Sequence, residues 1–134
     1  MSRFLDRLCM ELVCDEHDMP LENREGRQLY KVLRDFRYQS DVANMTITVP
    51  ADMLTDLASV PRLPIVYDAF GDYAQMPAVV HDFLYSPLSH ALVSRATADE
   101  VLLEAMKLTG VPYWRRYAIY WGVRAGGASH YQTD

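Results

Sequence analysis

Cysteine is scarce in this chain: Cys9 and Cys14 are its only two. Two thiols cannot supply the disulfide framework of a small secreted domain. Their odd spacing would put them on opposite faces of a strand, which argues against a mutual disulfide. No apolar run is long enough to cross a bilayer. The start Met1-Ser2-Arg3-Phe4-Leu5-Asp6 carries an acidic residue too early for a cleavable secretory leader. The expected setting is therefore the cytoplasm, with reduced thiols. Positive charge is also in short supply, with 13 Lys and Arg against 18 Asp and Glu and a formal net charge of -5. That balance argues against a general nucleic-acid binder, which needs concentrated Lys and Arg on phosphates. Arg115-Arg116 is a local basic pair and reads as a solvated helix face.

What is abundant is apolar surface. Half of the 134 residues are hydrophobic, enough for one domain over residues 1–134 with a real core and no long disorder. The first half reads as strands. Leu8 to Val13 is a short apolar run. Gln28 to Tyr38 alternates, with Tyr30, Val32, Arg34, Phe36 and Tyr38 on one face. Met45 to Val49 is a third strand, ended by Pro50. Asp15 to Gly26 is charged and reads as a loop or wide hairpin connection. Together these predict a small antiparallel meander. Pro50 to Gly71 lacks periodicity and is expected to be an ordered loop of the length that often carries function.

The second half reads as three helices. The first is expected over about Tyr73 to Tyr85, with Asp72 as N-cap, Pro77 near its first turn and Ser86-Pro87 as its stop. The second is expected from Ser94 to Leu108, burying Ala98, Leu102, Ala105 and Met106, with Gly110 beyond it. The third begins near Pro112, a residue suited to a first turn, and runs to Arg124 before Gly126-Gly127. The fold class is thus α+β, a small antiparallel sheet followed by a three-helix part.

Chemistry concentrates at His81-Asp82-Phe83-Leu84-Tyr85. On a helix, His81 and Tyr85 share a face and Asp82 points about a quarter-turn away. Asp99 lies at the start of the next helix, where its carboxylate could reach His81 or Tyr85. An imidazole oriented by Asp99 through one nitrogen could activate water with the other. Asp82 could hold a hard cation such as Ca2+. The same residues could instead form a buried polar network between helices, since buried polar groups need partners whether or not chemistry occurs. Thr55-Asp56-Leu57-Ala58-Ser59-Val60-Pro61-Arg62 reads as a tight turn whose side chains cap their own backbone, or as a source of carbonyls and Asp56 for a metal. His90 could approach His81 in a zinc-like set, although the spacing fits no strong zinc pattern. His17 and His130 carry no signal. On the third helix, Tyr113, Tyr117, Tyr120 and Arg124 form one stripe and Trp114, Ala118 and Trp121 another. One of the two is expected to face a partner subunit. Membrane contact lacks the lysine-rich face it would need.

The order Val49-Pro50, Thr55 to Pro61, Gly71-Asp72-Tyr73, His81 to Tyr85, Arg95 with Ala98-Asp99, and Ala105-Met106 resembles a family of small proteins common in tailed bacteriophages and prophages. That family is known as domain of unknown function 1353, and the resemblance spans roughly Tyr38 to Gly126. It implies a phage or prophage origin and a small α+β fold, and brings no established activity. A shorter likeness links His81-Asp82, Tyr85 and Asp99 to the helix pair of secreted phospholipase A2 enzymes. That likeness implies His81 as base, Asp82 (with Asp56 as a substitute loop ligand) on calcium, and Asp99 and Tyr85 as support. The chain lacks the glycine-rich calcium loop and the disulfides of those enzymes. The leading expectation is a phage virion or assembly component, tail-associated or at another multi-subunit interface. It would contact other phage proteins, or itself, through the aromatic third helix. The rival is a metal-assisted ester hydrolase, and a third reading is a cytoplasmic host-takeover protein that binds a bacterial target.

Overall fold

The computed structural model describes residues 1–57 and 71–133. Six short strands come first: β1 (Arg3–Phe4), β2 (Met10–Leu12), β3 (Tyr30–Val32), β4 (Phe36–Ser40), β5 (Met45–Val49) and β6 (Leu54–Thr55). Three helices follow: α1 (Gln75–Tyr85), α2 (Arg95–Leu108) and α3 (Tyr113–Gly126), with short 3-10 turns at Gly71–Ala74 and Pro87–Ser89. The fold is α+β. No helix among the described residues is long and apolar enough to cross a membrane.

The strands form two antiparallel sheets rather than one meander, in the orders β1-β4-β5 and β2-β3-β6. The expected strand from Gln28 to Tyr38 breaks after Val32 because its inward set contains Arg34. An unpaired guanidinium cannot take the place between Val32 and Phe36 in the core. The chain instead exposes Leu33, Arg34 and Asp35. Arg34 donates to the Arg7 carbonyl at 3.2 Å, and Asp35 accepts the Ala51 N–H at 2.9 Å. The two halves then join different sheets. β6 was not expected; Leu54 and Thr55 pair with Lys31 and Tyr30. The rest of the expected loop, 58–70, lies outside the described residues.

β4 and β5 follow their alternation. Phe36, Tyr38, Ile47 and Val49 are fully buried, while Thr46 and Thr48 face out. Cys9 and Cys14 fall outside β2, so the face argument does not apply to them; both are free thiols.

α1 starts at Gln75 and is capped by Ala74 without a side-chain cap bond, since the expected cap Asp72 lies within the preceding 3-10 turn. Pro77 occupies the third helical position, where its missing N–H has no intrahelical acceptor to lose. α1 is buried along most of its surface, which makes it the central element and explains why a histidine on it sits in the interior. α2 begins as the sequence indicates, with Ser94 Oγ accepting the Thr97 N–H at 3.1 Å. It ends in a Schellman motif: Gly110 has φ +84° and the Val111 N–H reaches the Met106 carbonyl at 3.0 Å. Pro112 caps α3 from just outside it rather than forming its first turn.

Glu104 fastens α2 to the β1-β4-β5 sheet, and nothing in the sequence singled it out. It accepts from Tyr38 Oη at 2.8 Å, Ser40 Oγ at 2.8 Å and the Val42 N–H at 3.0 Å. Burial, and then the bond to Glu104, push the Tyr38 phenol well above its ordinary range. Glu104→Ala strands the Tyr38 hydroxyl in the interior and is expected to cost about 1–3 kcal/mol, read as a lower urea midpoint with unchanged slope.

Candidate functional site

His81 and Tyr85 lie one turn apart on α1, with ring centroids 4.2 Å apart. Both point at Asp99, the fifth residue of α2. His81 Nε2 and Asp99 Oδ1 are 2.8 Å apart, and Tyr85 Oη donates to the same oxygen at 2.6 Å. The other carboxylate oxygen accepts Arg124 Nη1 from α3 at 2.9 Å, with Arg95 Nη1 at 3.9 Å. Arg95 also donates to the Arg124 carbonyl at 2.6 Å. Three helices therefore converge on one carboxylate that is 0% exposed.

Burial on its own raises the Asp99 carboxyl. The bonds from His81, Tyr85 and Arg124 outweigh it and hold the group below the ordinary carboxylate range. Asp99 is thus ionised at neutral pH and can only accept. His81 Nε2 is therefore the donor in that contact. Burial first, and its bond to Asp99 second, push the Tyr85 phenol above its ordinary range, so it stays a neutral donor.

Asp82 points away from Asp99, as helical geometry requires, and accepts from Thr55 Oγ1. Thr55 is buried, and its Oγ1 also accepts the Leu57 N–H at 3.1 Å. That is the expected cap of a side chain on its own backbone, two residues on. The remainder of that motif, 58–62, lies outside the described residues. Asp56 accepts from Asn23 Nδ2 at 2.7 Å. Asn23 comes from the excursion between β2 and β3, which the sequence marked only as a loop.

His81, Asp82, Tyr85, Thr55 and Asp56 all line one cleft of about 1140 Å³, closed on the other side by α3. Asp82 and Asp56 are hard oxygen donors of the kind calcium takes, but calcium needs six to eight oxygens. Among the described residues no group of three or more His, Cys, Asp or Glu converges on a point. These residues do not amount to a calcium shell. His90 is exposed, with a left-handed backbone at the end of the Pro87–Ser89 turn, and joins no ligand set among the described residues. His17 is exposed beside Glu16, whereas His130 lines the cleft despite carrying no signal in the sequence.

Sequence reasoning placed His81, Tyr85 and Asp99 together, and the structure joins them. It did not bring Arg124 or Gly127 into the site. Arg95 was legible as a residue four before Asp99 on one helix; Arg124 is reached only through the packing of α3. Gly127 is held by close approach, because a Cβ there would meet the Val123 carbonyl oxygen and lie 2.7 Å from Tyr85 Oη. Gly127→Ala is expected to push Tyr85 off Asp99 and to cost about 1–3 kcal/mol, seen as a lower melting temperature and a changed Tyr85 ring environment by NMR.

No curated protein and no solved structure matches the chain. The family described as Protein of unknown function (DUF1353) matches residues 30–123. The match takes in Asp56, His81, Asp82, Tyr85 and Asp99, and stops one residue short of Arg124. On that match, this chain is a member of the DUF1353 family.

Proposed function

We propose that this protein hydrolyses an ester, with His81 as the general base. The observation that carries the reading is the 2.8 Å contact of His81 Nε2 with the buried, ionised Asp99 on the wall of an open cleft. That contact engages Nε2, and in this reading the other ring nitrogen, Nδ1, takes the proton from water. A water oxygen would attack the ester carbonyl carbon as its proton passes to Nδ1. Collapse of the tetrahedral adduct would break the bond to the alkoxy oxygen, which takes the proton back from the imidazolium. Tyr85 holds Asp99 from the side and keeps the carboxylate from rotating. The likeness to phospholipase A2 supports the same assignment through its order of residue types. No step is routed through a cation, since the described donors do not complete a shell. The test is release of p-nitrophenol from p-nitrophenyl esters by the purified chain, with and without added calcium. Turnover above buffer is expected; none in either condition removes the reading.

A second reading rests on α3. Tyr113, Trp114 and Trp121 are 68%, 55% and 63% exposed, an aromatic face that suits assembly. Combined with the likeness to phage proteins, it favours a component of a phage particle, or a protein that binds a host target. Concentration-dependent self-association by light scattering, abolished by Trp121→Ser, would support the self-assembling form of this reading.

A further inference from the structure

Charge is divided unevenly along this chain. Residues 105–133 hold four Lys and Arg and no Asp or Glu, against nine and eighteen in the remainder. α3 lies within that cationic stretch. Away from the cleft, the rings of Tyr113, Tyr117, Tyr120 and Trp121 follow one another in contact, with successive centroids 4.7, 6.3 and 5.2 Å apart. The Arg116 guanidinium lies 5.2 Å from the Tyr113 centroid and donates to the Val111 carbonyl at 3.2 Å, which holds the cation against the rings. Tyr113 and Trp121 are 68% and 63% exposed. None of these residues lines the His81 cleft.

A surface of opposite character projects from between β2 and β3. Within residues 15–25, Asp15, Glu16, Asp18, Glu22 and Glu25 are all exposed, and Arg24 is the one Lys or Arg. Met19 and Leu21 lie among them, 61% and 40% exposed. The tip is closed by its own hydrogen bonds. The Asp15 N–H donates to the Met19 carbonyl at 2.8 Å, and Asp15 Oδ1 accepts the Met19 N–H at 3.1 Å. A preformed tip loses little conformational freedom on docking.

An isologous contact between two α3 faces would bring two cationic surfaces together, with no acid on either helix to offset them. A nucleic acid would gain the cations of α3 but meet a chain of net charge -5. The protrusion supplies what the α3 face lacks, negative charge around exposed apolar side chains. The two surfaces are different patches of one chain, so a contact between them is heterologous. We propose that copies of this chain assemble head to tail, with the acidic, Met19-bearing protrusion of one seated on the aromatic α3 face of the next. This rests on the self-assembling form of the second reading above and supplies the surface that meets α3. Hydrolysis at His81 plays no part in it.

The experiment follows mass against concentration by analytical ultracentrifugation of the full chain. Wild type is compared with Trp121→Ser and with the double variant Glu16→Lys, Met19→Ser. All three side chains are exposed, so both variants should melt as wild type does. Wild type is expected to grow beyond a dimer, with an apparent Kd that rises about tenfold from about 50 to about 500 mM salt. Each variant alone should stay monomeric. Their equimolar mixture should form a heterodimer and stop there, because one variant supplies the only intact protrusion and the other the only intact face. If the double variant assembles like wild type while Trp121→Ser does not, self-assembly stands and the head-to-tail contact is overturned. A mixture that stays monomeric overturns it too. Wild type that is monomeric up to about 1 mM removes both the contact and self-assembly. Sedimentation of that monomer with phosphatidylglycerol vesicles would give the face to a membrane instead.

Discussion

Asp99→Ala is expected to lower stability by about 3–5 kcal/mol, the largest loss for any single substitution proposed for this chain. Asp99 accepts from three side chains at once, His81, Tyr85 and Arg124. Removing it leaves two buried donors without an acceptor, each carrying a desolvation penalty of about 1–3 kcal/mol. Arg124 is about a third exposed on its side chain and can turn to water, which keeps the total within that range. Asp99→Asn should cost less, because the amide oxygen still accepts from Tyr85 and His81 while its NH2 faces Arg124. The pH dependence has a definite sign. The Asp99 carboxyl lies below its ordinary value in the folded state, so its contribution is complete above the unfolded pKa of about 3.9 and is lost as pH falls through the folded pKa. Urea midpoints measured from pH 7 to pH 3 should therefore show the gap between wild type and Asp99→Asn closing below about pH 4. A constant gap would mean that the fold does not lower the Asp99 pKa.

Much of this site was readable in advance because it is local. His81 and Tyr85 are one helical turn apart, and the next helix announces its start with Ser94, so Asp99 had to lie near its beginning. The same logic recovered β5 and the buried face of α2, where period and burial agree. It failed where a distant partner decides. Arg34 sits in phase with Val32 and Phe36, so alternation alone extended one strand across it; the cost of burying an unpaired cation splits the strand and creates two sheets. Glu104 is a single acidic residue among apolar neighbours on α2 and becomes a hub only because β4 and the turn after it pass alongside. Arg124 shared a stripe with three tyrosines, which pointed to a surface rather than to Asp99. Its role changes the character of the pair: Asp99 divides its charge between His81 and Arg124. The carboxylate anchors α3 as well as orienting the imidazole, and both duties must be separated before activity is assigned to either.

His81→Gln performs that separation better than His81→Ala. Alanine removes the ring from a position only 2% exposed, leaving a void and taking one donor from Asp99. A loss of about 2 kcal/mol or more is then expected whether or not the residue is catalytic. Glutamine keeps an N–H that can reach Asp99, and it fills much of the same space, but its amide cannot take up a proton near neutral pH. If His81 is the base, Gln should leave the urea midpoint within about 1 kcal/mol of wild type while ester hydrolysis falls by about 10²–10⁴-fold. Ala should lose both stability and activity. Hydrolysis that survives in His81→Gln would show that the proton goes elsewhere, and the His81–Asp99–Tyr85 cluster would then be a polar knot tying α1 to α2. The acyl-ester assay and the melt, run on the same three proteins, decide between base and knot.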